Sequence, residues 1–204
     1  MLDKKGFDLW AEGYDISVGL SDEDNSYPFA GYRKVLGEIY SRVMERGAKR
    51  VLDIGFGTGT LTAKLCDSGC EIYGQDFSVE MIAAAAAKMP AAKLYCGDFT
   101  KGLVPELKAQ KYDAIVATYS LHHLTDNEKI EFISCLKGLL NKNGRIYIGD
   151  VAFKNRNGLE KCGAEAGDEW DDEEIYFVYD EIKRSFPDCG FTVFSHCAGL
   201  LEFR

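Results

Sequence analysis

The feature that most limits how this chain can fold is a glycine-rich segment directly behind a short apolar run. Arg50–Ile54 reads as a buried strand, and Gly55-Phe56-Gly57-Thr58-Gly59 follows at once. Glycine permits sharp turns and lets a ligand approach the backbone closely. Leu61 and Leu65 then recur at helical spacing. The segment therefore predicts a strand–turn–helix unit whose helix N-terminus faces a bound group.

Strands and helices alternate from about residue 50 onward, as in a mostly parallel sheet. Further strands are predicted at Cys70–Gln75, Lys93–Cys96, Tyr112–Tyr119, Arg145–Ala152, Phe191–Cys197 and Leu200–Phe203. Ser78 and the Thr125-x-x-Glu128 pattern mark the starts of two helices. A tight connection at Ala198-Gly199 predicts that the last two strands are antiparallel. We expect a three-layer α/β sandwich with a mostly parallel seven-stranded sheet and a C-terminal antiparallel hairpin.

The length of 204 residues suits one domain spanning residues 1–204. Residues 1–47 are expected to form a helical cap over the site, including an amphipathic helix that ends near Gly47. Residues 48–152 form the expected ligand-binding core. Residues 153–204 are expected to hold a lid loop at Phe153–Trp170, a helix at Glu173–Phe186 and the terminal hairpin.

The chain is acidic, with 33 Asp and Glu residues against 24 Lys and Arg residues and a net charge of −9. Phosphate backbones are bound by basic residues, so nucleic acid is disfavoured as a partner. Much of the acidic excess lies between Glu165 and Glu174, which reads as a solvated loop. No apolar run approaches the roughly 18 residues that span a bilayer, so no membrane association is expected.

The cysteines and the N-terminus indicate a cytoplasmic protein. Met1–Trp10 is charged and lacks the apolar region of a signal peptide. The seven cysteines are scattered and form no C-x-x-C pair, so neither a metal site nor a disulfide framework is predicted. Reduced thiols fit a cytoplasmic protein. The sequence leaves open whether the protein is a monomer or a homodimer.

Two carboxylates near the glycine turn indicate the class of ligand. Asp76 ends the second predicted strand about 20 residues downstream of the turn, where a carboxylate can bind ribose hydroxyls. A dinucleotide fingerprint starting at Gly55 requires Gly or Ala at position 60, where this chain has Thr60. Asp53 would repel a pyrophosphate but favour a ligand that carries an ammonium and a sulfonium. An NAD-dependent oxidoreductase is therefore the weaker alternative.

The motifs together resemble those of class I, Rossmann-like, S-adenosylmethionine-dependent methyltransferases. VLDIGFGTGTLTAKL is similar to their first motif, and QDFSVEMI and CGDF are similar to the second and third. YDAIVATYSLHHL and LLNKNGRIYIGD resemble their fourth- and fifth-strand segments, and FDLWAEGYD resembles the N-terminal helix of bacterial small-molecule members. The resemblance covers nearly the whole chain, in the expected order.

The resemblance implies S-adenosylmethionine as cofactor and a role for each matching residue. Gly55, Gly57, Gly59 and the nearby backbone would hold the methionine part, with Asp53 shaping or neutralising that end. The alternative for Gly59 is that it allows close packing of a helix on a strand. Asp76 would accept hydrogen bonds from the ribose. The adenine would lie among Phe77, Met81, Asp98 and Phe99, and Tyr119 would approach the cofactor at the end of the fourth strand.

Methyl transfer mainly requires alignment of acceptor, methyl group and sulfur, so candidates for the chemistry are few. Tyr14 could contact the sulfonium through its ring, and Trp10 lies one helical turn earlier. His122 and His123 follow the fourth strand, where one of them could act as a base, and Asp150 at the end of the fifth strand is another candidate on the acceptor side. Tyr14, His123 and Asp150 are our catalytic candidates, and His196 reads as structural.

The sequence therefore predicts an S-adenosylmethionine-dependent methyltransferase that acts on a small-molecule acceptor. The acidic balance and the absence of an appended recognition domain disfavour RNA and protein acceptors. A regulatory protein that binds S-adenosylmethionine or S-adenosylhomocysteine without turnover remains the alternative, because no general base is obvious.

Overall fold

The structure, a computed structural model, describes residues 25–204, which contain one eight-stranded sheet. Its strands are β1 (Arg50–Ile54), β2 (Glu71–Asp76), β3 (Lys93–Cys96), β4 (Tyr112–Thr118), β5 (Leu140–Phe153), β6 (Phe177–Val178), β7 (Gly190–Val193) and β8 (Ala198–Phe203). Their order is β3-β2-β1-β4-β5-β8-β7, with β6 paired to β5. Strands β1 to β5 pair in parallel, and β8 is antiparallel to β5 and β7. The predicted α/β fold with a C-terminal antiparallel hairpin is confirmed.

Seven α-helices are described in residues 25–204, and three of them begin with a side-chain cap. They are α1 (Tyr32–Glu45), α2 (Thr60–Asp67), α3 (Val79–Lys88), α4 (Pro105–Lys108), α5 (Asp126–Lys137), α6 (Arg156–Ala166) and α7 (Tyr179–Ser185). Ser78 accepts the Met81 amide hydrogen at 3.2 Å, as predicted. Thr125 and Glu128 form the predicted capping box at the start of α5. None of the helices in this part of the chain is long and apolar enough to cross a membrane.

The two faces of the sheet are covered by separate apolar clusters, which gives the three layers. Along β4, Ala114 and Val116 belong to one cluster, whereas Ile115 and Ala117 belong to the other. Side chains alternate between faces along a strand, so a continuous apolar run fits a strand buried on both sides. The first cluster includes residues of α1, α2 and α3, and the second includes residues of α4, α5 and α7.

The prediction of a lid loop at Phe153–Trp170 is wrong, because most of this segment is helix α6. Asn155 caps the helix by accepting the Gly158 amide hydrogen at 3.0 Å. Gly163 favours a loop in the sequence, yet in α6 it faces Trp170. A Cβ at position 163 would lie 3.2 Å from the nearest Trp170 ring atom. The glycine therefore serves close packing and not chain reversal.

The C-terminal elements also differ in their bounds from the prediction. The helix predicted at Glu173–Phe186 is limited to α7, because the chain before it forms β6 beside the end of β5. This short strand makes eight strands where seven were predicted. Ala198 and Gly199 lie within β8, so the turn of the hairpin falls earlier, at residues 194–197. β5 begins at Leu140, because its pairing with β4 continues through an irregularity before Ala114.

We expect Gly149→Ala to destabilise the protein, because α1 packs directly on β5 at this position. The added Cβ would lie 2.4 Å from Val35 Cγ1 and 3.0 Å from Ile39 Cδ1. Overpacking of this kind costs about 1–3 kcal/mol of unfolding free energy, measured by urea denaturation. Gly37→Ala, in the exposed face of α1 with no atom within 4 Å of the new Cβ, is the matched control. It should raise the unfolding free energy by about 0.5–1 kcal/mol. Equal effects of the two variants would contradict this packing.

Candidate functional site

A cavity opens where the order of the parallel strands reverses, between β1 and β4. In sheets of this type ligands bind beyond the carboxyl ends of the strands at this reversal. The cavity measures about 670 Å³, open solvent at its mouth included, which is within the roughly 300–1,000 Å³ of small-molecule sites. All the predicted cofactor-contacting residues except Gly59 and Asp98 line it: Asp53, Gly55, Gly57, Asp76, Phe77, Met81, Phe99 and Tyr119.

The glycine turn after β1 forms the floor of the cavity. Gly55 has a φ of +67°, and a Cβ there would lie 2.6 Å from Ser120 Cβ, so only glycine fits. Gly57 has a φ of +55°, and a Cβ there would meet nothing within 4 Å. Its bare backbone therefore faces open space. A Cβ at Gly59 would lie 2.9 Å from Met89 Cε, so this glycine allows α2 to pack on α3 and is not part of the cavity lining.

Asp76, at the end of β2, ties the glycine turn to the start of α3. One carboxylate oxygen accepts the amide hydrogen of Gly57 at 2.9 Å, and the other accepts that of Ser78 at 2.9 Å. The side chain is buried and also lines the cavity. The carboxylate thus lies against the backbone turn, at the position from which the sequence predicted ribose binding.

Asp53 is a buried carboxylate with few hydrogen-bond partners for its charge. It is 1% exposed, and the Thr62 hydroxyl donates to its Oδ2. Its Oδ1 has no hydrogen-bond partner among residues 25–204. Burial raises the pKa of Asp53 from 3.8 to about 7, with a further increase from the charge of Asp76 that the Thr62 hydrogen bond opposes. A cation in the cavity would favour its ionised form.

Asp98 does not line the cavity in the structure. It caps the 3₁₀ turn Phe99–Lys101 by accepting the Thr100 amide hydrogen at 3.0 Å, and Lys101 Nζ lies 3.0 Å from its other oxygen. These local interactions outweigh partial burial and lower the pKa of Asp98. The neighbouring Phe99 is buried and lines the cavity, as expected for a residue beside an adenine.

Aromatic rings form another wall of the cavity at the end of β4. The ring of Tyr119 lies 5.3 Å from that of Phe29 and 5.1 Å from that of Tyr32, measured between centroids. Tyr119 and Tyr32 both line the cavity. The candidates Tyr14 and Trp10 lie outside the described residues.

The remaining catalytic candidates form a buried polar chain beside the cavity. His122 Nδ1 lies 2.7 Å from Asp150 Oδ1, and Nε2 lies 3.5 Å from Glu174 Oε1. Burial is the largest single influence and lowers the pKa of His122, but the Asp150 and Glu174 carboxylates together outweigh it, so the pKa is raised. Burial and the neighbouring His122 lower the pKa of His123 to about 4. Of these residues only His123 lines the cavity.

Burial and access to the cavity distinguish Asp150 and His196 from His123. Asp150 is 0% exposed and contacts His122, so the predicted catalytic role of Asp150 would be exerted through His122. His196 is exposed in the turn between β7 and β8 and does not line the cavity.

Glu174 is the site residue that the sequence analysis missed. Two contacts fix its neighbour: the Ile175 amide donates to the His122 carbonyl at 2.9 Å, and the buried Lys129 ammonium donates to the Ile175 carbonyl. Within the acidic stretch, Glu174 is the residue that directly precedes the apolar run Ile175-Tyr176-Phe177-Val178. The change from acidic to apolar residues at this position is the one local sign in the sequence that the Glu174 side chain faces inward.

The fold and the cavity define an α/β protein with a cavity of small-molecule size at the reversal point of its sheet. The methyltransferase-domain family profile matches residues 52–146. A protein of Anoxybacillus flavithermus, described as an uncharacterised methyltransferase, is 37% identical over 194 residues, which are 92% of this chain and 88% of the relative. The chain therefore belongs to the methyltransferase family.

Solved structures share the fold at low sequence identity. Magnesium protoporphyrin IX methyltransferase from Synechocystis PCC 6803, with bound S-adenosylhomocysteine, superposes with a TM-score of 0.66 at 21% identity, covering 85% of this chain and 83% of that one. An S-adenosylmethionine-dependent methyltransferase from Clostridium acetobutylicum gives a TM-score of 0.69 at 15% identity, covering 93% and 97%.

We expect Asp53→Asn to raise the unfolding free energy of the ligand-free protein at about pH 8 by roughly 2–4 kcal/mol. The figure follows from about 1.4 kcal/mol for each unit by which folding raises the Asp53 pKa. With a folded-state pKa raised to about 7 from 3.8, the wild type loses stability as pH rises from about 4 to about 7, because the folded state holds the proton longer. Urea denaturation at about pH 4 and pH 8 measures the difference, which should be small at the lower pH. A variant less stable than wild type at both values would contradict the assignment.

Proposed function

We propose that the protein transfers the methyl group of S-adenosylmethionine to a small-molecule acceptor. The observation that carries the proposal is the buried Asp53 carboxylate beside the open backbone of Gly57. Asp53 Oδ1 has no hydrogen-bond partner among residues 25–204, and a buried charge without a partner is costly. The ammonium group of the cofactor's methionine part would supply the missing partner.

The other cavity residues fit the rest of that cofactor. Asp76 would accept hydrogen bonds from the ribose hydroxyls, and the exposed part of Phe77 together with Met81 and Phe99 would enclose the adenine. Sulfur-containing and aromatic side chains suit such a flat, polarisable group. The solved relatives named above support the choice, since one holds S-adenosylhomocysteine and the other is described as S-adenosylmethionine-dependent. The bound cofactor supplies an activated methyl group.

The chain's own contribution to the reaction is binding and alignment. The rings of Tyr32 and Tyr119 would lie beside the sulfonium, where aromatic faces attract positive charge. His123 faces the same cavity and would contact the acceptor. Tyr14 remains a prediction for the acceptor side. Holding acceptor and methyl in line is the main source of acceleration for such a displacement.

Charge and cavity shape favour a small acceptor. The net charge of −9 opposes binding of nucleic acid, and the cavity has the volume of a metabolite site. The cytoplasmic location, the single-domain organisation and a monomeric or homodimeric state remain predictions.

Calorimetry with S-adenosylmethionine and S-adenosylhomocysteine tests the proposal directly. We expect both to bind, and Asp76→Asn to weaken binding at least about tenfold, because charge-assisted hydrogen bonds are lost. Asp67→Asn, which changes an exposed carboxylate on α2, should bind as wild type does. S-adenosylhomocysteine should then form with the small-molecule fraction of a cell extract and not with the macromolecular fraction.

The other outcomes of this experiment are equally informative. Binding without S-adenosylhomocysteine formation in any fraction would indicate the non-catalytic regulatory alternative. Failure to bind either compound, or tight binding of NAD, would overturn the proposal.

We also expect cofactor binding to release protons below about pH 7. Asp53 is largely protonated there because burial raises its pKa to about 7, and binding of a cation requires the carboxylate. Affinity should therefore fall as pH decreases from about 8 to about 5. Calorimetry in buffers of different ionisation enthalpy measures the released protons. Asp53→Asn should bind more weakly and show no such release, whereas the same proton release in that variant would contradict the assignment.

A further inference from the structure

His122, His123 and Glu174 form a cluster of metal-ligating side chains at the edge of the cavity. One ligand atom from each residue lies within 4.8 Å of the others. His122 Nε2 and Glu174 Oε1 are already 3.5 Å apart. Ligands at about 2.0–2.1 Å around a tetrahedral ion are roughly 3.4 Å from one another. The three ligand atoms therefore lie near the spacing that one ion requires.

Asp150 holds the first imidazole in the orientation that a metal ligand needs. His122 Nδ1 contacts the Asp150 carboxylate at 2.7 Å, so Nδ1 carries the proton in the neutral ring and the Nε2 lone pair faces Glu174. A carboxylate behind a ligating histidine fixes the ring and raises its basicity in known metal sites. Asp150 thus occupies the supporting position of such a site.

The backbone holds the three ligands in place before any ion binds. His122 and His123 lie in one 3₁₀ turn, Leu121–His123. The Ile175 amide hydrogen bonded to the His122 carbonyl at 2.9 Å brings Glu174 to this turn. The Lys129 ammonium holds the following peptide group by donating to the Ile175 carbonyl. Ligands from two distant segments are therefore fixed by main-chain contacts.

Charge at this position also favours a cation. Asp150 is 0% exposed, and its Oδ2 has no hydrogen-bond partner within residues 25–204. Two carboxylates, Asp150 and Glu174, flank the His122 imidazole, and the buried Lys129 ammonium nearby offsets part of their negative charge. A divalent ion bound to His122 would compensate the remaining charge, including that on the unpaired Asp150 oxygen.

We propose that His122, His123 and Glu174 bind a divalent transition-metal ion at the acceptor side of the cavity. Two imidazoles and one carboxylate suit ions such as Zn²⁺, Fe²⁺ or Co²⁺, whereas Mg²⁺ and Ca²⁺ prefer oxygen ligands. The site departs from the expectation, based on cysteine spacing, that the chain binds no metal.

The role of the ion rests on the function proposed above. His123 lines the cavity, so a fourth ligand position would face the acceptor. An ion there would bind a hydroxyl or thiol of the acceptor and lower its pKa. The proton goes to solvent, the oxygen or sulfur attacks the methyl carbon, and the carbon–sulfur bond breaks with its electron pair left on S-adenosylhomocysteine. The acceptor class is therefore a small molecule with an ionisable hydroxyl or thiol.

Titration of the chelator-treated full chain with Co²⁺, followed by visible absorption, tests the site without any activity measurement. We expect one equivalent to bind with the bands of nitrogen and oxygen ligands. His123→Ala and Glu174→Gln should each weaken binding at least about tenfold, and Asp150→Asn by about 10–100-fold. His196→Ala is the matched control, because it removes the exposed histidine between β7 and β8 and should bind Co²⁺ as wild type does.

Three results would overturn the proposal. They are absence of stoichiometric binding, equal binding by wild type and the His123 and Glu174 variants, and near-ultraviolet thiolate bands that assign the ion to cysteine. In the first two cases Asp150, His122 and Glu174 form only a buried ion chain. Calorimetry of S-adenosylmethionine binding to the metal-free protein distinguishes these failures from failure of the proposed function. Circular dichroism of each variant shows that lost binding does not reflect unfolding.

Discussion

The site depends on the parallel pairing of β1 with β4. Ile54 pairs with Ala117, so the carboxyl ends of both strands reach the same edge of the sheet. The turn after β1 and the turn after β4 then touch, and Gly55 has no room for a Cβ because Ser120 lies against it. The Ser120 hydroxyl also donates to the Ile54 carbonyl at 2.9 Å. This contact sets the distance between the glycine turn, which faces the proposed cofactor, and the histidines on the proposed acceptor side.

Buried carboxylates near the ends of two strands set the electrostatics of this edge. Asp53 near the end of β1 and Asp150 in β5 each keep one oxygen without a hydrogen-bond partner among the described residues. Burial of such groups lowers stability unless a partner is supplied. A positively charged ligand at Asp53 and a cation beside His122 would supply those partners. In the ligand-free protein these buried carboxylates lower the free energy of unfolding, and bound cations would remove that loss. Such a loss of stability is common at functional sites.

The sequence predicted the features that depend on a few neighbouring residues. The glycine turn, the Ser78 cap and the Thr125–Glu128 capping box follow from local rules, and all three are present. The position of Asp76 followed from its spacing to the turn. The failures concern contacts between distant segments. The inward position of Glu174 depends on the Ile175 amide meeting the His122 carbonyl, and no pattern near residue 174 specifies that partner. Helix α6 was not predicted because Gly163 favours a loop when only its neighbours in sequence are considered. The structure shows that a glycine is required there by close packing against the Trp170 ring.

Tyr119 has a strained backbone conformation next to the proposed acceptor side of the cavity. Its φ of +49° lies in the left-handed region, which is uncommon for a bulky residue and costs on the order of 1–3 kcal/mol. Its amide donates to the Gly149 carbonyl at 2.8 Å, so the pairing of β4 with β5 continues up to the bend. Beyond the bend the chain enters the turn in which His122 contacts Asp150 and His123 lines the cavity. A straight continuation of β4 would carry the two histidines onto opposite faces of the sheet. The strained bend instead keeps both rings together, with centroids 4.3 Å apart, which is the arrangement that a shared ligand requires.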